Sequence, residues 1–298
     1  MFRPLSPGSA VAIVAPSGPL DAELYRAGRE ILCRRYRVAR EIDPHGPRHP
    51  RLPYLADTDE ARAAVMNAAL ADPETEAILC ARGGYGAMRI LDRLDDDALQ
   101  RRRLPIVGLS DVTALHLWAA GLGVPTVHGP VLTQLAVLPP GDIQALFDLL
   151  EGTPPALDGL DGLCPGRARG RLLGGNLSLL AHLAGTPFLP ELEGCLLLLE
   201  EVNEAPYRID RLLTQLELAG VLDRIAGVLV GNLLGCDSPQ GVPPEPLAAL
   251  EVIAERLEPL GVPVVAGAPV GHGTRNLALP LGVVADLDAD AGTLRFVA

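Results

Sequence analysis

A series of short, mostly apolar runs constrains this chain more than any other feature. SAVAIVAP at 9–16, EAILCAR at 76–82, PIVG at 105–108, VPTVHG at 124–129 and CLLLLE at 195–200 are too short to cross a membrane and too evenly apolar to keep one face in water. Strands without polar alternation are buried on both faces, the condition of parallel strands packed between helices. Segments of helical period separate the runs, near 21–35, 58–71, 87–97, from 111 onward and at 141–151. A shorter strand is expected at 36–44, and 45–56 reads as a loop. This alternation specifies an α/β fold with a parallel, wound sheet. Aromatics are 3% of a chain that is 48% hydrophobic, so the core must be built of Leu, Val, Ile and Ala.

Residues 153–168 concentrate Gly, Pro and Asp and are expected to link an N-terminal domain, 1–152, to a C-terminal one, 169–298. The second half opens with Arg169–Leu173, then Gly174, Gly175 and Asn176 lead into a helix. After the strand at 195–200 comes a helix near 207–219 with Leu212, Leu213, Leu216 and Leu218. Strands at 225–234 and 262–269 flank a helix at 245–258, and 277–298 reads as short strands with Asp/Gly turns. The second half is therefore expected to be mixed α/β.

The net charge of −12 argues against nucleic acid or an anionic membrane as partner. All 25 basic residues are Arg, which excludes a Lys Schiff base, a Walker A lysine and a Ser-x-x-Lys site. The run Arg101–Arg103 reads as a solvated helix end. The five cysteines, 33, 80, 164, 195 and 236, are scattered without a C-x-x-C, and Cys80 and Cys195 read as buried hydrophobes. With an apolar stretch at 10–15 too short for a signal peptide core, the expected location is the cytoplasm. His45 and His49 lie in a proline-broken loop, and there is no H-E-x-x-H and no Cys/His cluster, so no metal is expected. GlyTyrGlyAlaMetArg at 84–89 lacks the third small residue of a dinucleotide fingerprint.

Loops at the carboxyl edge of the first sheet carry the small and polar residues, at Ser17-Gly18, Arg82–Gly86 and Ser110-Asp111, where open α/β sheets bind ligands. PIVGLSDVT at 105–113 reads as strand, sharp turn and helix with Ser110 at the apex, and two readings of it stand. A serine on such a turn projects its Oγ above the sheet as a nucleophile, with helix N–H groups suited to an oxyanion. A serine before a helix also serves as an N-cap, and Val112 stands where the Gly-x-Ser-x-Gly elbow has its last glycine. Glu200 closes a buried strand and so needs a partner; it is either part of a site or a cap for the next helix, and Glu201 and Glu204 compete with it. His272 lies between Gly271 and Gly273 directly after a strand, in a loop whose glycines permit close approach. Serine, acid and histidine in this order match hydrolases with a Ser–His–acid triad, in which the imidazole takes the serine proton and the carboxylate orients it.

ArgGlyGlyTyrGly at 82–86, GlyLeuSerAspValThrAla at 108–114, HisGlyPro at 128–130, GlyGlyAsn at 174–176, LeuGluGluValAsnGlu at 199–204, TyrArgIleAspArg at 207–211 and GlyHisGlyThrArgAsn at 271–276 together resemble the LD-carboxypeptidases. These are the muramoyltetrapeptide carboxypeptidases, serine peptidase family S66, and the similarity runs from about residue 8 to 285 in the family's order. The resemblance implies an N-terminal parallel α/β domain and a C-terminal domain with a small β-rich core. It implies a triad of Ser110, His272 and Glu200, an oxyanion hole from the Asp111 backbone N–H with that of Gly83 or Gly84, and no cofactor. The implied reaction is hydrolysis of the amide between an L-configured centre, of meso-diaminopimelate or L-Lys, and the terminal D-Ala of a murein tetrapeptide. The free carboxylate of that implied substrate would need a cation, and Arg82 and Arg275 lie beside the loops of the triad; the other reading is that both are structural ion-pair partners. The implied setting is peptidoglycan recycling in the bacterial cytoplasm, by a homodimer. Leu109 stands where relatives commonly carry Tyr or Phe, and Glu201 where Asp is frequent. The alternatives are a hydrolase of the microcin-immunity type acting on an aminoacyl nucleotide, and a non-catalytic α/β binding protein. No aromatic-rich insert for stacking a base is evident, which favours the murein peptide.

Overall fold

The apolar runs form strands that are buried end to end: β1 (Ala10–Val14), β3 (Ala77–Cys80), β4 (Ile106–Gly108) and β5 (Thr126–His128) show no exposed position. In the computed structural model, which describes residues 2–46, 48–239 and 246–297, the chain divides into two compact units. One is Met1–Pro154 with Leu277–Pro280, the other Pro155–Asn276 with Leu281–Ala298.

In the first unit β2 (Arg37–Arg40) and β12 (Leu279–Leu281) complete a sheet of order β12-β5-β4-β3-β1-β2, in which β1 to β5 pair in parallel. Helices α1 (Ala22–Leu32), α2 (Asp59–Ala71), α3 (Asp96–Arg102), α4 (Thr113–Gly121) and α5 (Pro140–Leu150) alternate with the strands. Val11, Ile13, Leu79, Val107 and Val127 pack with Tyr25 and Leu32 of α1 and with Leu146, Phe147 and Leu150 of α5. Each such side chain contributes about 1.5–3 kcal/mol on burial. Polar caps start the helices where expected: the Asp21 carboxylate accepts from Glu23 and Leu24 N–H, and Thr58 Oγ1 from Ala61 N–H.

The segment 87–97 was expected to be one helix. It is a 3₁₀ stretch, Ala87–Arg93, that ends at Leu94, after which Asp95 caps the separate helix α3. Asp95 at the cap, with Asp96 and Asp97 in the first turn, favours a new N-terminus over continuation. The arginine run that follows is only partly solvated, because Arg102 donates to the carbonyls of Asp72 at 2.5 Å and Thr75 at 2.6 Å.

In the second unit β8 (Arg167–Asn176), β9 (Leu196–Val202), β10 (Gly227–Leu234) and β11 (Val264–Ala266) pair in parallel in that order. Antiparallel strands flank them, β13 (Val284–Asp288), β14 (Thr293–Phe296) and β6 (Ala156–Leu157) on one side and β7 (Asp161–Cys164) on the other. The segment read as a linker, 153–168, thus carries β6, β7 and the start of β8. The two outermost strands of the sheet tolerate the Pro, Gly and Asp that a central strand would exclude. Likewise the tail does not all stay in the second unit, since Leu277–Pro280 belongs to the first, where β12 lies beside β5.

Helices α6 (Leu177–Leu183), α7 (Pro206–Leu218) and α8 (Ala249–Leu257) belong to this unit. The helix expected at 245–258 starts within the described residues at Ala249; position 245 lies outside them. On α7 the buried stripe is Ile209, Leu213 and Leu216, at i, i+4 and i+7, whereas Leu218 falls off that face and is 84% exposed. Among the described residues, no helix is long and apolar enough to cross a membrane.

Candidate active site

Residues proposed from sequence fall in both units, and each unit holds its own set in place. In the first, β4 ends at Gly108, Leu109 is extended, and Ser110 takes a left-handed backbone with φ 65°. Ser110 opens a 3₁₀ turn, Ser110–Val112, whose capping position is Leu109, and no side chain makes a capping hydrogen bond there. Ser110 is therefore inside the turn and is not its N-cap. A left-handed non-glycine residue costs on the order of 1–3 kcal/mol and persists only where its surroundings over-determine it.

Those surroundings are visible. The Gly108 carbonyl accepts from the Gly129 N–H at 3.0 Å and from His116 Nε2 at 2.9 Å. Burial, reinforced by the neighbouring His128 ring, pushes His116 down to about 3, so its imidazole is neutral and Nε2 carries the proton it donates. A Cβ on Gly108 would lie 2.9 Å from both methyl carbons of Val112. The bulky residue after the serine thus packs over the glycine before it, and the turn needs its small residue only on the strand side.

The loop after β3 stands against the serine. A Cβ on Gly83 would come 2.9 Å from Ser110 Cβ and 3.2 Å from its Oγ, so only glycine fits. The Gly83 carbonyl accepts from the Gly18 N–H at 3.1 Å, and Gly84 has φ 110°. The carboxylate of Asp111, 1% exposed, accepts from the Ala87 N–H at 2.7 Å. Arg82 is exposed, and its guanidinium donates to the Pro19 carbonyl. A cavity of about 320 Å³ lies in this unit, among Ala15, Leu20, Glu41, Ile42 and Val65, and neither Ser110 nor Gly83 lines it.

In the second unit His272 Nδ1 lies 2.7 Å from Glu200 Oε2, and the Glu200 side chain is fully buried. The loop bearing His272 crosses directly over that carboxylate. A Cβ on Gly271, which has φ 109°, would sit 2.5 Å from Glu200 Oε2. Gly231 on β10 meets Val270 and the Glu200 side chain from the other direction. The loop is tied down by the buried Asn276, whose Oδ1 accepts from the Gly271 N–H at 2.9 Å, and by Asn232, whose Nδ2 donates to the Arg275 carbonyl at 3.2 Å. Burial opposes a charged imidazole at His272, but the hydrogen bond and charge of Glu200, with the charge of Glu201, outweigh it and hold the His272 pKa above its ordinary value.

Geometry separates the three glutamates. Glu201 accepts from Asn176 Nδ2 at 2.8 Å, from the Ser178 N–H at 2.8 Å and from the Val202 N–H at 2.9 Å, so it fastens the start of α6 to β9. Glu204 faces Arg208 one helical turn on, at 3.4 Å. Only Glu200 of the three bonds to His272. Arg275 is exposed. His49 Nδ1 accepts from the N–H groups of Arg51 and Leu52, and among the described residues no cluster of His, Cys, Asp and Glu could hold a metal. Sequence reasoning passed over His116, Asn232 and the side chains of Asp111 and Arg62. Asn276 ends the sequence GlyHisGlyThrArgAsn at 271–276, and nothing local marks it as the loop's anchor.

Two family models match the chain, the LD-carboxypeptidase N-terminal domain over residues 11–129 and the LD-carboxypeptidase C-terminal domain over residues 169–287. A Streptomyces coelicolor protein with a provisional carboxypeptidase name is 44% identical, over 99% of this chain and 96% of its own. The murein tetrapeptide carboxypeptidase of Pseudomonas aeruginosa is 32% identical, over 94% of this chain and 93% of its own. The solved structure of the microcin C7 self-immunity protein MccF superposes with a TM-score of 0.89 at 23% identity, covering 100% of this chain and 98% of that one, which is a likeness of fold. With both of its halves matched and relatives aligned nearly end to end, the chain belongs to the LD-carboxypeptidase family, peptidase family S66.

Proposed function

We propose that this protein is a serine LD-carboxypeptidase that removes the terminal D-Ala of a murein tetrapeptide by cutting its amide to an L-configured diamino acid centre. The observation that carries this reading is the bond between His272 Nδ1 and the buried Glu200. It fixes the imidazole with Nε2 as the remaining nitrogen for proton transfer. In this reading Ser110 Oγ attacks the scissile carbonyl carbon as His272 Nε2 takes its proton. The backbone N–H of Asp111 and that of Gly83 or Gly84 hold the oxyanion. Collapse expels the D-Ala amine, which takes its proton from His272. A water, deprotonated by the same nitrogen, then hydrolyses the acyl ester and restores Ser110. Glu200 stays ionised throughout and stabilises the imidazolium. Arg82 or Arg275 pairs with the substrate's terminal carboxylate, a bond suited to guanidinium geometry. The family resemblance further supports a homodimer acting in cytoplasmic peptidoglycan recycling.

The deciding experiment follows D-Ala release from murein tetrapeptide by purified protein. Ser110→Ala should lower kcat by on the order of 10⁴-fold or more, and release at a near wild-type rate overturns the reading. An aminoacyl nucleotide is assayed beside it. The microcin-immunity alternative has behind it a likeness of fold and a sequence likeness of 27% identity over 80% of this chain, below that of the murein tetrapeptide carboxypeptidase, and cleavage of the nucleotide with none of the tetrapeptide would decide in its favour.

A further inference from the structure

We propose that Arg62 and Asp111 are positioning residues, two buried side chains that grip the backbone at Gly86 and so set the amides of Gly83 and Gly84 against Ser110. This inference rests on the reading of Ser110 as nucleophile. Arg62 lies on α2 and is 3% exposed. Its guanidinium donates to the Gly86 carbonyl at 2.9 Å, to the Asp57 carbonyl at 3.1 Å and to the Pro16 carbonyl. On the other side, a carboxyl oxygen of Asp111 accepts from the Ala87 N–H at 2.7 Å; burial pushes the Asp111 carboxyl above its ordinary value, against hydrogen bonds from Ser17 and from the Ala87 and Gly86 N–H groups. The guanidinium and the carboxyl group thus hold the two ends of one peptide unit, the Gly86 carbonyl and the Ala87 N–H.

Gly86 is shaped for this grip. Its φ is 134°, and a Cβ there would come 2.7 Å from Leu55 Cδ2 and 2.8 Å from Arg62 Nη1. No side chain can stand between the guanidinium and the backbone. The charges are also balanced. Asp59 receives Arg62 Nη2 at 2.5 Å and Arg89 Nη2 at 2.7 Å. The buried Arg62 guanidinium is therefore paired with a carboxylate, where a lone buried charge would be strongly destabilising.

The loop has reason to need such a grip. Gly83, Gly84 and Gly86 offer almost no side chain to pack, and glycine loses more conformational freedom on ordering than any other residue. Oxyanion donors act only when held in place before the charge develops. Hydrogen bonds to ionised groups are roughly twice as strong as neutral ones, so a charged grip can fix a loop that packing cannot. Pro16 in the β1 loop, Gly86 in the β3 loop and Asp111 after β4 are joined through the same two side chains.

The test compares Asp111→Asn and Arg62→Lys with wild type, using folded protein checked by thermal melting. D-Ala release should fall by about 10- to 100-fold in kcat, somewhat less than the loss of an oxyanion donor itself, while KM stays within about threefold. The rate at which a serine-directed phosphonate modifies Ser110, followed by mass spectrometry, should fall in parallel, because its phosphoryl oxygen occupies the same hole. A lower melting temperature with kcat and labelling rate unchanged overturns the proposal, since it assigns both residues to folding alone. If Asp111→Asn does not fold, Arg62→Lys, which keeps the charge, decides by the same two rates. Ser110→Ala separates the two readings. An inactive Ser110→Ala beside fully active Asp111→Asn and Arg62→Lys removes this inference only, whereas an active Ser110→Ala removes both.

Discussion

The surroundings of Ser110 in the first unit, the serine half of the proposed machinery, and those of His272 in the second, its histidine half, are built by different means. Around Ser110 the work is done by backbone: a left-handed residue, a strand-end carbonyl with two donors, and a neighbouring loop that only glycine can bring so close. Around His272 it is done by one side-chain bond to a fully buried carboxylate, with glycines serving to let the loop pass over it. The first arrangement stores strain and depends on space. The second holds charge and depends on pH. An added methyl against Ser110 and a lost charge at Glu200 should therefore be the most damaging changes in the two regions.

The largest effect is expected from Glu200→Gln. It keeps the shape but removes the charge that orients and stabilises the imidazolium, and kcat should fall by about 10⁴-fold, as when a triad acid becomes an amide. The sign of the pH effect follows from the raised His272 pKa: the base works when neutral, so the acid limb of kcat/KM in wild type lies above pH of about 6.5. Without Glu200 that limb should move to lower pH in the residual activity. The His272–Glu200 bond stabilises the fold fully below about pH 6.5 and loses that contribution as pH rises through the raised value. Pairwise melting curves of wild type and Glu200→Gln should thus converge toward alkaline pH, and a constant gap would break the assignment of charge to this half.

Gly83→Ala comes next. Its methyl would meet Ser110 Cβ at 2.9 Å, and displacement of the loop should cost about 10²–10³ in kcat with little change in melting temperature. A normal kcat would mean that the loop can shift without consequence. Gly271→Ala should act on the fold as well as on the rate, since its Cβ would press on the oxygen that bonds His272. A Cβ 2.5 Å from Glu200 Oε2 at φ 109° should lower stability by about 1–3 kcal/mol, read by denaturant unfolding. If that variant melts like wild type, the loop is not held against the carboxylate as described.

Much of this was legible because it is local. Buried parallel strands announce themselves as apolar runs, and β1, β3, β4 and β5 fall inside the stretches that suggested them. The turn at Ser110 could be read as a turn, but not as left-handed, because φ there is fixed by Val112 packing over Gly108 and by a hydrogen bond from His116 on the next helix. Three glutamates within five residues could not be told apart by spacing; the opposite faces that Glu200 and Glu201 take on β9, the place of Glu204 beyond its end, and the loop that reaches Glu200 decide. Arg62 was invisible, since an arginine on a helix is ordinarily solvated, and only the fold brings the carbonyls of Pro16 and Gly86 to it. Edge strands such as β6 and β7 carry the residues of loops and were read as one.

Strand β12 gives the fold a schedule. It is made from residues near the end of the chain, yet it completes the sheet of the first unit beside β5. During synthesis, the outer edge of β5 waits unpaired while Pro155–Asn276, the larger part of the second unit, is translated. An exposed strand edge is a template for pairing with other chains. The nascent protein is therefore most vulnerable to aggregation after its first unit has emerged and before β12 arrives, and a fragment ending near Pro154 should keep that vulnerability for its lifetime.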